Sequence, residues 1–247
     1  MPRFFIDASD VFTDGDDCLI RISGEDAHHI THVLRTRIGE EITACDNAGM
    51  VYRTVLETPG ETVILRVLER FAADTEPPYI ATVYQALVKG DKMETVIQKA
   101  VETGAAVIVP VATSRAVVKL DEKDARKKTE RWQKIAHEAA KQCGRGILPQ
   151  VKMPISFREA VTQAAEADLA LFCYEGTGTI PLPEICRKQS DPKSISLFVG
   201  PEGGFADGEA QAADQAGLQM CGLGKRILRT ETAALFVLSC LSAIYEL

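Results

Sequence analysis

The segment Phe198-Val199-Gly200-Pro201-Glu202-Gly203-Gly204-Phe205 joins an apolar run to a stretch in which a helix can start. The apolar run extends from Ile195 to Val199 and reads as a short buried strand, because turn residues follow it directly. Three glycines and one proline then predict a tight turn that brings bare backbone close to whatever lies above it. We therefore expect a binding loop immediately after this strand.

A second segment, Leu223-Gly224-Lys225-Arg226-Ile227-Leu228-Arg229-Thr230-Glu231-Thr232-Ala233, repeats this plan. Residues 218–223 have the apolar character of a strand, and Gly224 ends it. Thr230 is predicted to cap a helix that continues through Thr232. Two strand ends therefore offer two loops to one crevice.

The chain from residue 79 onward alternates strand-like and helix-like runs, which is typical of a parallel sheet with helices on both faces. The predicted strands cover residues 79–87, 106–111, 169–174, 195–199 and 218–223, and the predicted helices cover 92–103, 123–143, 156–165, 207–216 and the run from 230. In such sheets, ligands bind beyond the carboxyl ends of the strands. The two loops described above and the loop 175–178 all follow strands, so we expect them at that edge.

The first 70 residues have the alternation of short strands instead. Runs at 3–6, 18–22, 41–45, 50–56 and 62–68 are separated by turn residues, which predicts a small β-barrel or a curled sheet. One helix, residues 24–35, interrupts them, with Ser23 as its cap and Ile30, Val33 and Leu34 as its apolar face. His28 and His32 share a face of this helix, but the pattern lacks the glutamate of zinc proteases. We expect surface or substrate-contacting histidines and no metal site.

Consecutive prolines at Pro77 and Pro78 mark a linker, because they forbid helix and favour an extended spacer. We place the linker at residues 73–78, between an N-terminal domain of residues 1–72 and a C-terminal domain of residues 79–247. Seven cysteines without a CxxC pair indicate reduced thiols and a cytoplasmic protein. The start lacks the pattern of a signal peptide, and the apolar run 233–245 is too short to cross a bilayer.

The formal net charge of −7 is unevenly distributed along the chain. Residues 85–152 hold 14 Lys and Arg against 8 Asp and Glu, whereas residues 1–72 hold 7 against 13. A basic segment of this kind suits either nucleic-acid phosphates or a solvated helix face. The charge pattern alone leaves both interpretations open.

The loops exclude two common nucleotide sites. Gly222-Leu223-Gly224 and Gly176-Thr177-Gly178 both lack the third glycine of a dinucleotide fingerprint, and no P-loop pattern occurs in the chain. What remains is a pocket for a smaller nucleoside-like ligand, held by backbone groups and apolar side chains.

The two loops resemble the signature of a known family. Residues 200–205 followed by 223–233 are similar to the RsmE family of bacterial 16S rRNA (uracil-N3)-methyltransferases, within the SPOUT superfamily. The likeness extends through residues 32–35, 89–94 and 130–135, and so covers most of the chain. Departures are small: Lys141-Gln142-Cys143-Gly144-Arg145 keeps only Gln142 and Arg145 of the family pattern, and Lys225 stands where proline is common.

The resemblance implies an α/β protein with a small β-barrel. It comprises an N-terminal PUA-like barrel that binds RNA and a C-terminal SPOUT α/β domain with a deep trefoil knot. It also implies S-adenosyl-L-methionine as cofactor, a homodimer, and methylation of N3 of a uridine in 16S rRNA of the 30S ribosomal subunit. The apolar last helix is expected to lie partly in the dimer interface.

The resemblance also assigns roles to residues. Arg229 is expected to stabilise negative charge on the uracil carbonyl oxygens, or else to pair with Glu231 or Glu202. Glu231 is a candidate base, or a carboxylate that favours the helix dipole. The expected cofactor-binding residues are Tyr174, Val199, Gly200, Pro201, Glu202, Gly203, Gly204, Leu223, Gly224, Arg226, Ile227, Leu228, Thr232 and Ala233. The expected RNA-binding residues are Lys89, Lys92, Arg115, Arg131, Lys134, Gln142 and Arg145.

Two alternatives of other classes stay open. One is a catalytically silent rRNA-binding assembly factor on the same fold. The other is a small-molecule enzyme with a loop-held nucleotide, which the net negative charge alone favours.

Overall fold

A computed structural model describes residues 2–247 and divides the chain into two compact units. The first unit holds the chain up to Glu76 together with Ala140–Leu148. The second unit holds Pro77–Ala139 and Pro149–Leu247. The first unit thus includes most of the predicted linker and also a segment from within the predicted C-terminal domain, residues 79–247.

The first unit contains one six-stranded sheet in the order β1-β4-β5-β6-β3-β2. Among the strands that residues 2–72 form, only the β1–β4 pair is parallel, and the other neighbours are antiparallel. Alternate residues such as Ile20, Ile22, Val63 and Leu65 form the core, as the alternation predicts. The strands are β1 (Arg3–Phe5), β2 (Val11–Asp14), β3 (Asp17–Ser23), β4 (Glu41–Cys45), β5 (Met50–Thr58) and β6 (Thr62–Ala72).

The helix of the first unit differs from its prediction. Helix α1 (Gly24–His28) continues as a π-helical turn, His29–Val33, and Ser23 is its N-cap without a side-chain hydrogen bond. Of the predicted apolar face, Ile30 is buried in the core, whereas Val33 is 63% exposed and Leu34 is 41% exposed. The imidazole rings of His28 and His32 lie 4.7 Å apart. Within residues 2–247, no group of three or more His, Cys, Asp or Glu comes together as a metal site.

A buried ion pair holds residues 140–148 in the first unit. The side chain of Arg145 is 5% exposed, and its Nη2 donates to Glu76 Oε2 at 2.6 Å. The Glu76 carboxylate also accepts the backbone N–H groups of Gly146 and Ile147. The guanidinium that was predicted to contact RNA is thus buried against a carboxylate within the first unit.

The second unit contains an eight-stranded parallel sheet, which confirms the predicted α/β alternation. Its order is β10-β8-β7-β13-β11-β14-β12, and β9 also pairs with β8. The strands are β7 (Ile80–Ala86), β8 (Ala105–Ala112), β9 (Gln150–Val151), β10 (Ile155–Ser156), β11 (Leu169–Cys173), β12 (Ile180–Pro181), β13 (Ser194–Val199) and β14 (Gln219–Gly222). The helices are α2 (Lys92–Glu102), α3 (Glu122–Cys143), α4 (Phe157–Ala164), α5 (Leu182–Lys188), α6 (Asp207–Gln215) and α7 (Thr230–Tyr245). The last four residues of α3, from Ala140, belong to the first unit.

Aromatic side chains anchor the glycine-rich loop to the core of this unit. The ring of Phe205 lies 4.2 Å from that of Phe172, and Tyr84 stacks on Phe198 at 5.0 Å. A Cβ atom at Gly200 would lie 3.1 Å from the Phe205 ring, so a side chain there would press against this anchor. Both ends of the loop 200–205 are therefore fixed. Of the helices formed by residues 2–247, none combines the length and apolarity that spanning a membrane requires.

Candidate functional site

A cleft of about 470 Å³ lies in the second unit at the carboxyl ends of β11, β13 and β14. The loop after each of these strands contributes to its wall, and the first turn of α7 completes it. The predicted convergence of three loops at one sheet edge is therefore observed. A crevice at the ends of parallel strands is the usual ligand position in such sheets.

The cleft brings together nearly all residues that the sequence assigns to a cofactor. All but two of them line it: Tyr174, Val199, Gly200, Pro201, Glu202, Gly204, Leu223, Gly224, Arg226, Ile227, Leu228 and Ala233. The two exceptions are Gly203 and Thr232. The carbonyl oxygen of Gly203 accepts a hydrogen bond from Arg115 Nη1 at 3.1 Å, and Thr232 is exposed on α7. Both proposed catalytic residues, Arg229 and Glu231, line the cleft as well.

Several lining residues escaped the sequence reasoning: Cys173, Glu175, Thr179, Phe205, Gly222, Lys225 and Thr230. Most of them are chain neighbours of predicted residues, so extending each loop by one position would have found them. Thr179 could not be found in this way, because it directly precedes strand β12, which was not predicted and which pairs with β14. There, a Cβ atom on Gly222 would lie 2.8 Å from Thr179 Oγ1, which explains the glycine.

The backbone of residues 224–228 carries unused hydrogen-bonding capacity. In the part of the chain that the structure describes, 2–247, no backbone hydrogen bond involves these residues. Gly224 has φ +106°, a conformation that glycine adopts without strain. Backbone N–H and C=O groups beside apolar side chains suit the edge and faces of a nucleobase.

Thr230 does not cap α7 as predicted. Arg229 is the N-cap, with an extended backbone and no side-chain cap bond, and Thr230 is the first helical residue. Its hydroxyl donates instead to the carbonyl oxygen of Gly200 at 2.6 Å. The same hydroxyl accepts a hydrogen bond from Gln85 Nε2 at 2.9 Å. Thr230 therefore connects the two loops that the sequence singled out.

The charged residues of the cleft do not pair as the alternative for Arg229 requires. Arg229 is exposed and makes no ion pair among the described residues 2–247. Glu202 pairs with Lys92 Nζ at 2.8 Å, and this hydrogen bond lowers the pKa of the Glu202 carboxyl. A lowered pKa means a weaker affinity for protons, so the Glu202 carboxylate is poorly suited to act as a base.

Glu231 differs from Glu202 in its surroundings. Its Oε2 atom is buried and has no hydrogen-bond partner within residues 2–247. A buried carboxylate oxygen without a partner is destabilising unless a ligand or water supplies one. Its position in the cleft makes it an acceptor for a group that enters from outside.

The residues predicted to contact RNA occupy different environments. Lys89, Lys134 and Gln142 are exposed. Arg131 is 67% exposed although it pairs with Glu94 Oε1 at 2.8 Å. Lys92 lines the cleft itself, and Arg115 bonds the loop 200–205 through Gly203.

The chain is similar to known proteins over its whole length. Residues 75–242 match the family model of an RNA methyltransferase domain, and residues 22–68 match that of an RNA methyltransferase PUA domain. The chain is 37% identical to the ribosomal RNA small subunit methyltransferase E of Bacillus subtilis, over 100% of this chain and 98% of the relative. It is 33% identical to the Synechocystis protein of the same name, over 93% and 75%.

A solved structure supports the same likeness. It is a ribosomal RNA small subunit methyltransferase E from Neisseria gonorrhoeae bound to S-adenosyl methionine. That structure superposes with a TM-score of 0.87 at 32% identity, over 99% of this chain and 98% of the other.

Proposed function

The chain belongs to the ribosomal RNA small subunit methyltransferase E family, and from this premise we propose that it methylates N3 of a uridine in 16S rRNA with S-adenosylmethionine. The observation that carries the proposal is the cleft at the ends of β11, β13 and β14. It combines an unbonded backbone stretch, an unpartnered carboxylate oxygen and an unpaired arginine. A related structure holds S-adenosyl methionine.

The residues of the cleft fit this cofactor. The unbonded backbone groups of residues 224–228 would hold the adenine edge, and the apolar side chains of Val199, Leu223 and Ile227 would cover its faces. When bound, the cofactor supplies a methyl group on a positively charged sulfonium. The carboxylates of Glu202 and Glu231 line the same cleft and favour a cation there.

Arg229 and Glu231 would prepare the uracil for transfer. N3 of uracil carries a proton and is a weak nucleophile until that proton is lost. We propose that Glu231 Oε2 accepts the N3 proton while the Arg229 guanidinium donates to the uracil carbonyl oxygens, where negative charge develops. Once the proton has passed to Glu231, the N3 lone pair would be free to accept the methyl group, which a bound cofactor would supply while its sulfonium became a neutral thioether.

Replacing Glu231 by glutamine tests the proposed base. We expect kcat to fall about a hundredfold, since general bases contribute at least that much. The residual rate should rise with pH, because hydroxide deprotonates an increasing fraction of uracil. Glu231→Asp, which keeps a carboxylate, should lose less. A variant with lower stability but unchanged kcat would show that Glu231 serves only the helix dipole.

We propose that exposed cations bring the rRNA to this cleft. Lys89, Arg131 and Lys134 are exposed in the basic segment and would neutralise phosphates. Gln142 belongs to the first unit and would add a neutral contact. The target uridine must leave its stack, since N3 is inaccessible within a paired base. In this scheme, residues 1–72 act as an RNA-binding domain and residues 79–247 as the methyltransferase domain.

The experiment that tests the function uses the full chain and methyl-deficient 30S subunits. We expect transfer of a radiolabelled methyl group from S-adenosylmethionine, 3-methyluridine in the digested rRNA, and activity that falls steeply with salt. Fully methylated 30S subunits are the matched control and should accept no label. Binding to 30S without transfer would favour the silent assembly factor, and failure to bind RNA at low salt would favour a small-molecule enzyme.

The family resemblance further supports a closed barrel in the first unit, a deep trefoil knot in the second and a cytoplasmic location. Seven free cysteines agree with a reducing compartment. Pulling the folded chain by its two ends tests the knot, since a knotted chain stays shorter than an unknotted one. Cell fractionation tests the location.

We propose that α7 forms part of a dimer interface. Ala234, Val237, Leu238 and Leu241 are buried within the chain, whereas Phe236 and Ile244 remain 39% and 44% exposed. An exposed apolar strip on a helix is typical of an interface.

Sedimentation at micromolar concentration should therefore give about twice the mass of the 26.9 kDa chain. Phe236→Arg should shift this mass to the monomer. Ile80→Arg is the matched control, because Ile80 is a 60% exposed apolar residue on a strand. A monomer mass for the unmodified protein would refute the dimer.

A further inference from the structure

Gln85 is a polar residue in the middle of the parallel sheet. Its side chain is fully buried on β7, where it aligns with Val199 of β13 and Pro110 of β8. Polar side chains are uncommon at such positions, because burial removes their hydrogen bonds to water. The neighbours Tyr84, Ala86 and Leu87 are buried apolar residues, as the centre of a sheet requires.

A directed chain of hydrogen bonds starts at this side chain. Gln85 Nε2 donates to Ala86 O at 3.1 Å and to Thr230 Oγ1 at 2.9 Å. Thr230 Oγ1 in turn donates a hydrogen bond to Gly200 O at 2.6 Å. The chain connects β7, the first turn of α7 and the first residue of the loop after β13. Hydrogen bonds in series at a buried site strengthen one another.

Stability alone does not account for the glutamine. Its Oε1 atom is buried and finds no partner within residues 2–247, which is destabilising. An apolar side chain of similar length would avoid that penalty. The hydroxyl of Thr230 likewise bonds to the loop after β13, although α7 has no side-chain hydrogen bond at its N-cap. Gln85 and Thr230 thus both hold the loop after β13 in place, although other residue types at these two positions would stabilise the folded state more.

We propose that Gln85 and Thr230 are positioning residues for the methyl transfer. Thr230 lies between Arg229 and Glu231, which both line the cleft, and Gly200 begins the opposite wall. The hydrogen-bond chain therefore fixes the spacing between the two walls and the direction of the flanking side chains. Small displacements of reacting groups lower rates strongly. This inference rests on the proposed function.

Thr230→Val and Thr230→Ser, made in the full chain, provide the test. Valine keeps the shape but loses the hydroxyl, and serine keeps the hydroxyl. For Thr230→Val, we expect the Kd for S-adenosylmethionine, measured by calorimetry, to rise about tenfold and kcat on 30S subunits to fall about tenfold. Thr230→Ser should stay within about threefold of the wild type in both quantities. Gln85→Met should resemble Thr230→Val, and the double variant should be less than additive.

Ser196→Ala is the matched control for general destabilisation. Ser196 is buried in the same unit, and its hydroxyl donates to Ala164 O at 2.8 Å, but it does not line the cleft. This variant should lower Tm as Thr230→Val does and leave Kd unchanged. The inference is overturned if Thr230→Val keeps the wild-type Kd and kcat, or if Ser196→Ala shifts Kd equally. Failure of the wild type to bind S-adenosylmethionine would instead overturn the proposed function.

Discussion

Replacing Arg229 by alanine is expected to lower kcat for methyl transfer roughly 10³-fold while the Kd for S-adenosylmethionine changes little. A guanidinium presents two parallel donors to the uracil oxygens, so its loss removes more than a single donor would. Arg229 is available for this role, because it lines the cleft and makes no ion pair within residues 2–247. The interaction strengthens as charge develops, so the effect should fall on kcat.

Single-turnover kinetics with saturating cofactor, together with calorimetry of cofactor binding, measure the two quantities separately. Arg229→Lys should be faster than Arg229→Ala but slower than the wild type, since an ammonium keeps the positive charge but lacks the two parallel N–H donors of a guanidinium. Arg187→Ala is the matched control, because Arg187 is an exposed arginine of α5 outside the cleft. If Kd rises steeply and kcat is preserved, Arg229 binds the cofactor and not the uracil.

The strands around the cleft were predictable because their sequence signals are local. The apolar runs that became β13 and β14 are each followed directly by glycine, so their ends were expected within one or two residues. The short strands β9, β10 and β12 have two residues each, too few for any periodicity. Helix α5 was missed because prolines stand at its start, although proline is favoured in a first helical turn.

The position of the site could be predicted, but the pairing of its side chains could not. The loops that follow neighbouring parallel strands meet at one edge of the sheet, and this convergence does not depend on how their side chains pair. Lys92 and Glu202 form their ion pair across 110 positions of sequence. The hydroxyl of Thr230 bonds to the carbonyl oxygen of Gly200 and does not cap α7, and this bond depends on where the loop 200–205 lies. Such contacts follow from tertiary structure and leave no local pattern.

The segment 140–148 shows the same limit at the level of whole units. Composition gives no sign that it packs with the first unit, because its bond to Glu76 spans 69 positions. Arg3 adds to this attachment by donating to the carbonyl oxygens of Gly144 and Arg145. The sequence supports a linker at residues 73–78, and only the folded chain reveals that Glu76 is a structural residue.

Glu76→Ala is therefore expected to lower the free energy of unfolding by about 3–5 kcal/mol, the range for a buried ion pair that loses one partner. The variant leaves the Arg145 guanidinium buried and uncompensated, and it also removes the acceptor of two backbone N–H groups. The partners are well shielded from water, with side-chain exposures of 5% for Arg145 and 18% for Glu76. Solvent screening therefore weakens this pair little.

Urea unfolding of the full chain measures the loss, and hydrogen exchange shows whether it falls on the first unit. Glu69→Ala is the matched control: Glu69 pairs with Arg53 at 3.2 Å with 57% of its side chain exposed, so its loss should cost less than about 1 kcal/mol. Both variants remove one glutamate from the same unit and so change the net charge equally. A difference between their losses in the free energy of unfolding therefore reports the effect of burial. Equal effects would mean that Glu76 contributes no more than a surface ion pair, and residues 140–148 would then be held by packing alone.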